Sequence, residues 1–198
     1  MTTIRLALII LFLPVTASAQ NHSQHDASQV SPYVGEEKRA IKSLSLEDIE
    51  EIRRGGGWGL ARAAELNGVP GPTHLLELAD QIGLSEPQRE QIEVIRARMQ
   101  SEAIMAGEKF VEAERALDAA FKQGVPGAKA LNMLVKAAGE ARASLRLVHL
   151  NAHLLTVPLL SKEQVAEYSI LRGYSEDPCA AVPTGHNAAM WRLHNGCS

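Results

Sequence analysis

Two long segments of the chain repeat small apolar residues at intervals that alternate between three and four. In the first segment these residues are Met99, Ala103, Ala106, Phe110, Ala113, Leu117 and Ala120. In the second they are Leu131, Leu134, Ala138, Ala141, Leu145, Val148, Ala152 and Leu155. Such spacing places each series on one face of an α-helix. If the first series is followed from its C-terminal end and the second from its N-terminal end, the intervals match at every step. The resulting pairs run from Ala120 with Leu131 to Met99 with Ala152. The pattern therefore predicts an antiparallel helical hairpin that turns at residues 124–127.

Helix start and stop signals predict shorter helices before this hairpin. A first helix begins with a capping box at Ser45 and ends at the glycines 55–57. A second covers about 60–67, and a third begins at Pro72 and ends at Gly83. The three glycines lack the Lys-Ser/Thr pair of a phosphate-binding P-loop, so we interpret them as a flexible turn.

The hairpin helices are expected over about 86–123 and 128–156, and a last amphipathic helix ends at Gly173. Gly107 interrupts the first long helix, where glycine costs about 1 kcal/mol relative to alanine and permits a bend. The fold class is therefore all-α: a long antiparallel hairpin with shorter flanking helices.

The first nineteen residues have the organisation of a secretory signal peptide. Arg5 gives a positive start, residues 6–15 are an apolar run, and an Ala-x-Ala cleavage site ends at Ala19. We therefore expect residues 1–19 to be removed on export to the periplasm. An uncleaved signal that anchors the chain in the membrane is the alternative, although the apolar run is short for a membrane span.

The rest of the chain divides into three parts. Residues 20–42 are expected to form a flexible polar segment, 43–174 the helical domain and 175–198 a C-terminal tail. The two cysteines of the chain, Cys179 and Cys197, both lie in this tail. In an oxidising compartment they are expected to form a disulfide. A free thiol pair for metal or redox chemistry is the alternative, but the C-x-x-C spacing is absent.

Composition and charge argue against several classes of function. The formal net charge is −3 at pH 7 and aromatic residues make up only 4% of the chain. The chain therefore lacks the basic surface and the stacking platforms that nucleic acids require. No activated nucleophile, carboxylate pair or cofactor loop stands out either. We expect neither an enzyme nor a nucleic-acid-binding protein.

Histidines are the candidate metal ligands. His149 and His153 are four residues apart, so both rings lie on one face of the second long helix. Two imidazoles at this spacing suit Cu, Zn or Ni, and His74 is the best candidate for a third ligand. The alternative is a solvated basic edge that the two histidines form with Arg142 and Arg146.

The tail carries a second candidate cluster. His186, Met190 and His194 repeat at intervals of four, and nitrogen and thioether ligands together suit Cu(I). The other interpretation is a disulfide-bound cap in which Met190 and Trp191 pack on the helical domain.

Two copies of one motif bracket the hairpin. Leu84-Ser85-x-x-Gln88 precedes the first long helix, and Leu160-Ser161-x-x-Gln164 follows the second. Each is physically a capping box, with serine at the N-cap and glutamine at N3. Together with the signal peptide, the pair resembles the L-T/S-x-x-Q motifs of the Spy/CpxP family of periplasmic stress proteins. The resemblance covers roughly residues 73–174 and implies an all-helical, cradle-shaped antiparallel homodimer without catalytic activity.

The resemblance also bears on the histidines. Leu147-Val148-His149-x-x-x-His153 looks like the ligand segment of the CnrX branch, and His74 lies near the position of that branch's other histidine pair. The CnrX and ZraP branches bind heavy metals, whereas other family members hold unfolded periplasmic proteins. Arg96 stands about where the CnrX branch has a carboxylate.

The resemblance thus implies a periplasmic stress protein that binds heavy metal, unfolded clients or both. The alternative is a regulatory partner of a membrane sensor, without general chaperone activity. Six apolar residues lie off the hairpin seam and would form a dimer or client surface, unless the flanking helices cover them. They are Val94, Ile95, Ile104, Met105, Val111 and Met133.

Overall fold

The computed structural model describes residues 30–197, which fall into two units, 30–34 and 35–197. Residues 30–34 form an exposed turn in which the Val34 N–H donates to the Ser31 carbonyl over 3.3 Å. All described helices lie in the second unit. They are α1 (Leu46–Arg53), α2 (Arg62–Glu65), α3 (Pro72–Glu77), α4 (Ala79–Ile82), α5 (Glu86–Lys122), α6 (Ala128–Thr156), α7 (Lys162–Leu171) and α8 (Ala188–His194), with short 3₁₀ turns at Glu36–Lys38 and Val157–Leu159.

The predicted all-α fold class is confirmed, because the residues described contain helices and no strand. Helices α5 and α6 form the long hairpin and pack against each other. Both partners of three predicted pairs belong to one buried cluster or pack against it: Ala103 with Val148, Ala106 with Leu145, and Phe110 with Ala141. None of the described helices has the length and apolar character needed to cross a membrane.

Helix α1 packs across the middle of α5 and forms the first core cluster. Ile49 and Ile52 of α1 contribute its buried face, and Val111 of α5 is fully buried in the same cluster. The first helix therefore covers Val111, one of the apolar residues off the seam. The cluster also holds Ile41, which the sequence places within the polar segment 20–42. The residue after Ile41 is hydrogen-bonded to α5: the Lys42 N–H donates to the carboxylate of Asp118, a residue of α5, over 3.3 Å.

Gly107 is the contact point between α1 and α5. A Cβ placed on it would lie 2.7 Å from Ile52 Cγ2 and 2.8 Å from the Ile52 carbonyl oxygen. The absence of a side chain thus lets the two backbones approach closely, which is a packing reason for this glycine.

The second core cluster joins α3, α4 and α7 to the start of α5. Its large buried members are Leu75, Ile82, Leu84, Ile92 and Tyr168. The single helix expected from Pro72 to Gly83 is divided into α3 and α4 at Leu78, whose φ of −105° and ψ of 13° are not helical. Helix α3 packs against α5 and α6, and its N-cap residue Gly71 lies against His153 of α6.

Candidate functional site

Both capping motifs are formed. The Ser85 N–H donates to Gln88 Oε1 over 2.9 Å, and the Ser161 N–H donates to Gln164 Oε1 over 3.0 Å. Leu84 is buried in the second core cluster, and Leu160 packs against it. The motif residues therefore have a structural role at the open end of the hairpin.

A cavity of about 520 Å³ lies between the loop that follows α1, the start of α3, and one side of the α5–α6 hairpin. The three histidines predicted as metal ligands, His74, His149 and His153, all line it. Its other polar or charged lining side chains are Arg54, Arg62, Glu65, Thr73, Arg96, Gln100, Arg172 and Tyr174. The structure thus gathers the candidate histidines around one space, together with four arginines.

His153 is held in a fixed orientation. Its Nδ1 lies 2.7 Å from the Val69 carbonyl oxygen, which can only accept, so Nδ1 carries the proton. The ring lies against Gly71, where a Cβ would be 2.5 Å from His153 Nε2. Glycine at this position therefore provides the room for the imidazole.

His149 is 3% exposed, and its Nε2 has no hydrogen-bond partner. Burial lowers the pKa of this imidazole, and the neighbouring His153 lowers it further. His149 is therefore neutral at pH 7. A buried nitrogen without a partner is unusual in a native protein and calls for an explanation.

His74 lies at the edge of the cavity. Its Nδ1 is 2.9 Å from Glu77 Oε2, and 41% of its side chain is exposed. The described residues contain no group of three or more His, Cys, Asp or Glu side chains arranged to hold a metal ion. The three histidines line one cavity without converging on a common point.

Three of the arginines, Arg54, Arg62 and Arg96, make no ion pair with any described residue. Glu65, the single carboxylate among the lining residues described, is engaged through one oxygen, while its Oε2 is buried without a hydrogen bond. Its Oε1 accepts hydrogen bonds from the Tyr168 hydroxyl and, over 3.1 Å, from the Tyr174 hydroxyl. Burial, together with the bond to Glu65, raises the pKa of Tyr168. The cavity wall therefore carries an excess of positive charge.

The glycines 55–57, interpreted from the sequence as a flexible turn, form part of this wall. Gly55 has a φ of +74°, and a Cβ there would lie 2.8 Å from the Gln100 carbonyl oxygen of α5. Trp58 anchors the loop: its indole N–H donates to Asp48 over 2.7 Å and its ring packs on Phe110. This hydrogen bond is the main reason why the pKa of Asp48 is lowered.

Sequence reasoning missed the cluster of four arginines on the cavity wall. The available signal was the direct succession of Arg54 and the glycine triplet, which sequence reasoning had compared only with a P-loop. Arg62, Arg96 and Arg172 join it from three separate helical segments, and their proximity is visible only in the fold.

A second, apolar groove of about 390 Å³ lies on the other side of the hairpin seam. Its apolar lining residues are Ile95, Met99, Val148, Ala152, Leu154 and Leu155. Leu154 and Leu155 are more than half exposed, and so is Leu147 about two turns earlier. Of the predicted off-seam residues, Val94, Ile104, Met105 and Met133 are also exposed, whereas Val111 is covered by α1.

In the tail, Cys179 and Cys197 form a disulfide with their Cα atoms 5.5 Å apart, consistent with the sequence expectation. The Trp191 indole N–H donates to the Pro178 carbonyl over 2.7 Å, and the edge of His186 packs on the Trp191 ring. Met190 is 67% exposed, so it does not pack on the helical domain as the cap interpretation expects.

Comparison of this chain with protein-family models, curated proteins and solved structures found no match.

Proposed function

We propose that this chain is a non-enzymatic periplasmic stress protein of the Spy/CpxP type that holds apolar segments of unfolded client proteins. The observation that carries the proposal is the open groove along the hairpin, in whose lining Leu154 and Leu155 are more than half exposed. Leu147 of the same helix is also more than half exposed. Monomeric proteins seldom expose contiguous apolar surface of this kind without a partner.

The chemistry of the groove fits an unfolded client. Its floor is the apolar seam around Met99 and Val148, and its rim carries the ion pair Arg98–Glu102 at 2.8 Å. An apolar floor with a polar rim binds many sequences weakly, because burial of apolar area is not directional. Homodimerisation through the same hairpin would place two such grooves in one cradle.

The test is light scattering from a chemically denatured client protein diluted into buffer with or without this chain. We expect the chain to suppress aggregation and the double variant Leu154→Gln/Leu155→Gln to lose most of that effect. Val135→Gln is the matched control, because Val135 is 52% exposed on the same helix but does not line the groove. Equal suppression by both variants would contradict the proposed surface.

The alternative function, a regulatory partner of a membrane sensor, predicts the absence of general suppression. In that case aggregation proceeds unchanged at every ratio of chain to client. Sedimentation velocity on the same samples tests the proposed homodimer independently.

Binding of Cu, Zn or Ni at His149 and His153 is a second hypothesis. The observation that favours it is the unpartnered Nε2 of His149 beside a second imidazole. Calorimetric titration with Cu(II), Zn(II) and Ni(II) tests it, with His149→Ala and His153→Ala as variants. Equal affinity in the parent and both variants would eliminate this metal site.

A further inference from the structure

The cavity beside His149 carries charges that client binding along the opposite groove does not use. Arg54, Arg62 and Arg96 reach it from the loop after α1, from α2 and from α5, and none has an ion-pair partner among the described residues. Guanidinium groups usually pair with carboxylates when they gather in this way. These three and Arg172 outnumber Glu65, the single carboxylate among the described lining residues, so the cavity is net positive.

The wall also contains polar atoms that lack a partner. His149 Nε2 is buried without a hydrogen bond, and so is Arg172 Nε, which lies 3.4 Å from Glu65 Oε1 in an ion pair without hydrogen-bond geometry. The third such atom of the wall, Glu65 Oε2, is an acceptor on the carboxylate that pairs with Arg172. Because the Arg172 Nε–H can only donate and a neutral imidazole can donate through Nε2, both atoms suit an oxygen acceptor. An unsatisfied buried donor in a native protein calls for an acceptor, which a bound ligand, an ion or a water molecule can supply.

We propose that this cavity binds a small molecule through an oxyanion group, either a carboxylate or a phosphate. The volume of about 520 Å³ lies within the usual range for small-molecule sites. The planar fork of arginine matches the oxygens of carboxylate and phosphate. Leu66, Pro72 and Met99 provide an apolar part of the wall for the carbon skeleton of such a ligand.

The same charges distinguish this proposal from the metal hypothesis. A cation bound at His149 and His153 would share the cavity with four guanidinium groups, which repel it. An oxyanion is attracted by the same groups and completes the hydrogen bonds of His149 and Arg172. The two hypotheses therefore predict opposite preferences for the sign of the ligand.

The experiment is isothermal titration calorimetry of the protein at low ionic strength, with citrate and inorganic phosphate as the probes. We expect one site per chain, with an affinity that falls as salt is added because the attraction is electrostatic. Arg96→Gln and Arg54→Gln should each weaken binding about tenfold to a hundredfold, as expected for loss of a charge-assisted hydrogen bond. Arg98→Gln is the matched control, because Arg98 lies on the same helix but outside the cavity.

The outcomes separate the sources of the anion. Tighter binding of citrate supports a carboxylate ligand, and tighter binding of phosphate supports a phosphate ligand. The absence of heat with both probes at millimolar concentration would overturn the proposal, as would equal weakening by Arg96→Gln and Arg98→Gln. Circular dichroism tests whether each variant is folded. We expect all three variants to fold, because Arg54, Arg96 and Arg98 are exposed and do not belong to the core.

Discussion

The side-chain amides of Gln88 and Gln164 hydrogen-bond to each other in both directions, with N···O distances of 2.8 and 3.1 Å. Each amide also donates to a backbone carbonyl beside the other motif, Gln88 to Leu159 over 2.7 Å and Gln164 to Gly83 over 3.2 Å. Since each oxygen also accepts from the N-cap serine of its own helix, the two capping boxes form one network. This network fastens the start of α5 to the segment that follows α6.

Replacement of Gln88 by leucine should lower the free energy of unfolding by about 1–3 kcal/mol, because it leaves the amide of Gln164 and the Leu159 carbonyl without their partner. Urea unfolding followed by circular dichroism measures the loss. Gln91→Leu is the control: Gln91 is exposed on the same helix and bonds only to the carbonyl of Pro87 in its own helix. A similar loss in both variants would show that the network adds nothing beyond ordinary surface polarity.

Alanine at position 107 should destabilise the protein by about 1–3 kcal/mol even though alanine favours helix, because its Cβ would overlap Ile52. Alanine at position 139 should instead stabilise it by about 0.5–1 kcal/mol, since Gly139 is an exposed helical residue with nothing within 4 Å of a Cβ. Thermal unfolding of the two variants provides a matched comparison. Stabilisation by both would mean that α1 does not press on α5 at this point.

Replacement of His149 by leucine should raise the free energy of unfolding of the free protein by about 1–3 kcal/mol, because it removes a buried nitrogen that has no partner. The control is His74→Leu, where the side chain is 41% exposed and no change in stability is expected. Urea unfolding at neutral pH measures both variants, and a loss of stability in His149→Leu would argue that Nε2 is satisfied in solution.

The pH dependence of stability follows from the same group. Because burial lowers the pKa of His149, the unfolded chain binds the proton more tightly than the folded one. The parent should therefore lose stability as the pH falls below about 6.5, the ordinary histidine value, until the lowered folded pKa is passed. The difference between His149→Leu and the parent should widen from pH 8 to pH 5, and a constant difference would contradict the assigned burial effect.

Removal of the disulfide by Cys179→Ser/Cys197→Ser should leave the main unfolding transition within about 0.5 kcal/mol of the parent. The reason is that α8 has no buried residue, while the indole of Trp191 bonds within the tail, to Pro178. Trypsin should cleave the variant faster at Arg192, because an unclosed tail samples more open conformations. Small domains that depend on a disulfide lose about 2–5 kcal/mol of unfolding free energy when it is removed. A loss in this range for the main transition would contradict the prediction, because it would mean that the tail stabilises the core.

The hairpin could be predicted from sequence because its signals are local. A period near 3.6 identifies each helix, and the pairing of Ala103 with Val148 or Phe110 with Ala141 follows from matching two apolar series around one turn. The capping boxes at Ser85 and Ser161 are equally local, since they need only residues three positions apart.

The cavity could not be predicted in the same way, because its residues come from five segments of the chain. Arg54 and Arg96 are separated by more than forty residues, and nothing in the periodicity relates them. The packing role of Gly107 could not be predicted for a similar reason. The sequence shows that the residue lacks a side chain, but only the fold shows that Ile52 occupies the space where a Cβ would lie. The roles of such residues depend on how separate helices pack against each other. A single sequence gives no local pattern from which that packing can be predicted.

The turn between the two long helices touches little of the protein. Val125 is 96% exposed, and a Cβ on Gly124 or Gly127 would meet nothing within 4 Å. Because the apolar seam and the Gln88–Gln164 hydrogen bonds join the two sides of the hairpin elsewhere, we expect the helices to stay together when the chain is cut at this tip. A bond severed at Val125 would leave two complementary pieces, and a fluorophore or an extra peptide inserted there would report on the hairpin without disturbing either of its faces.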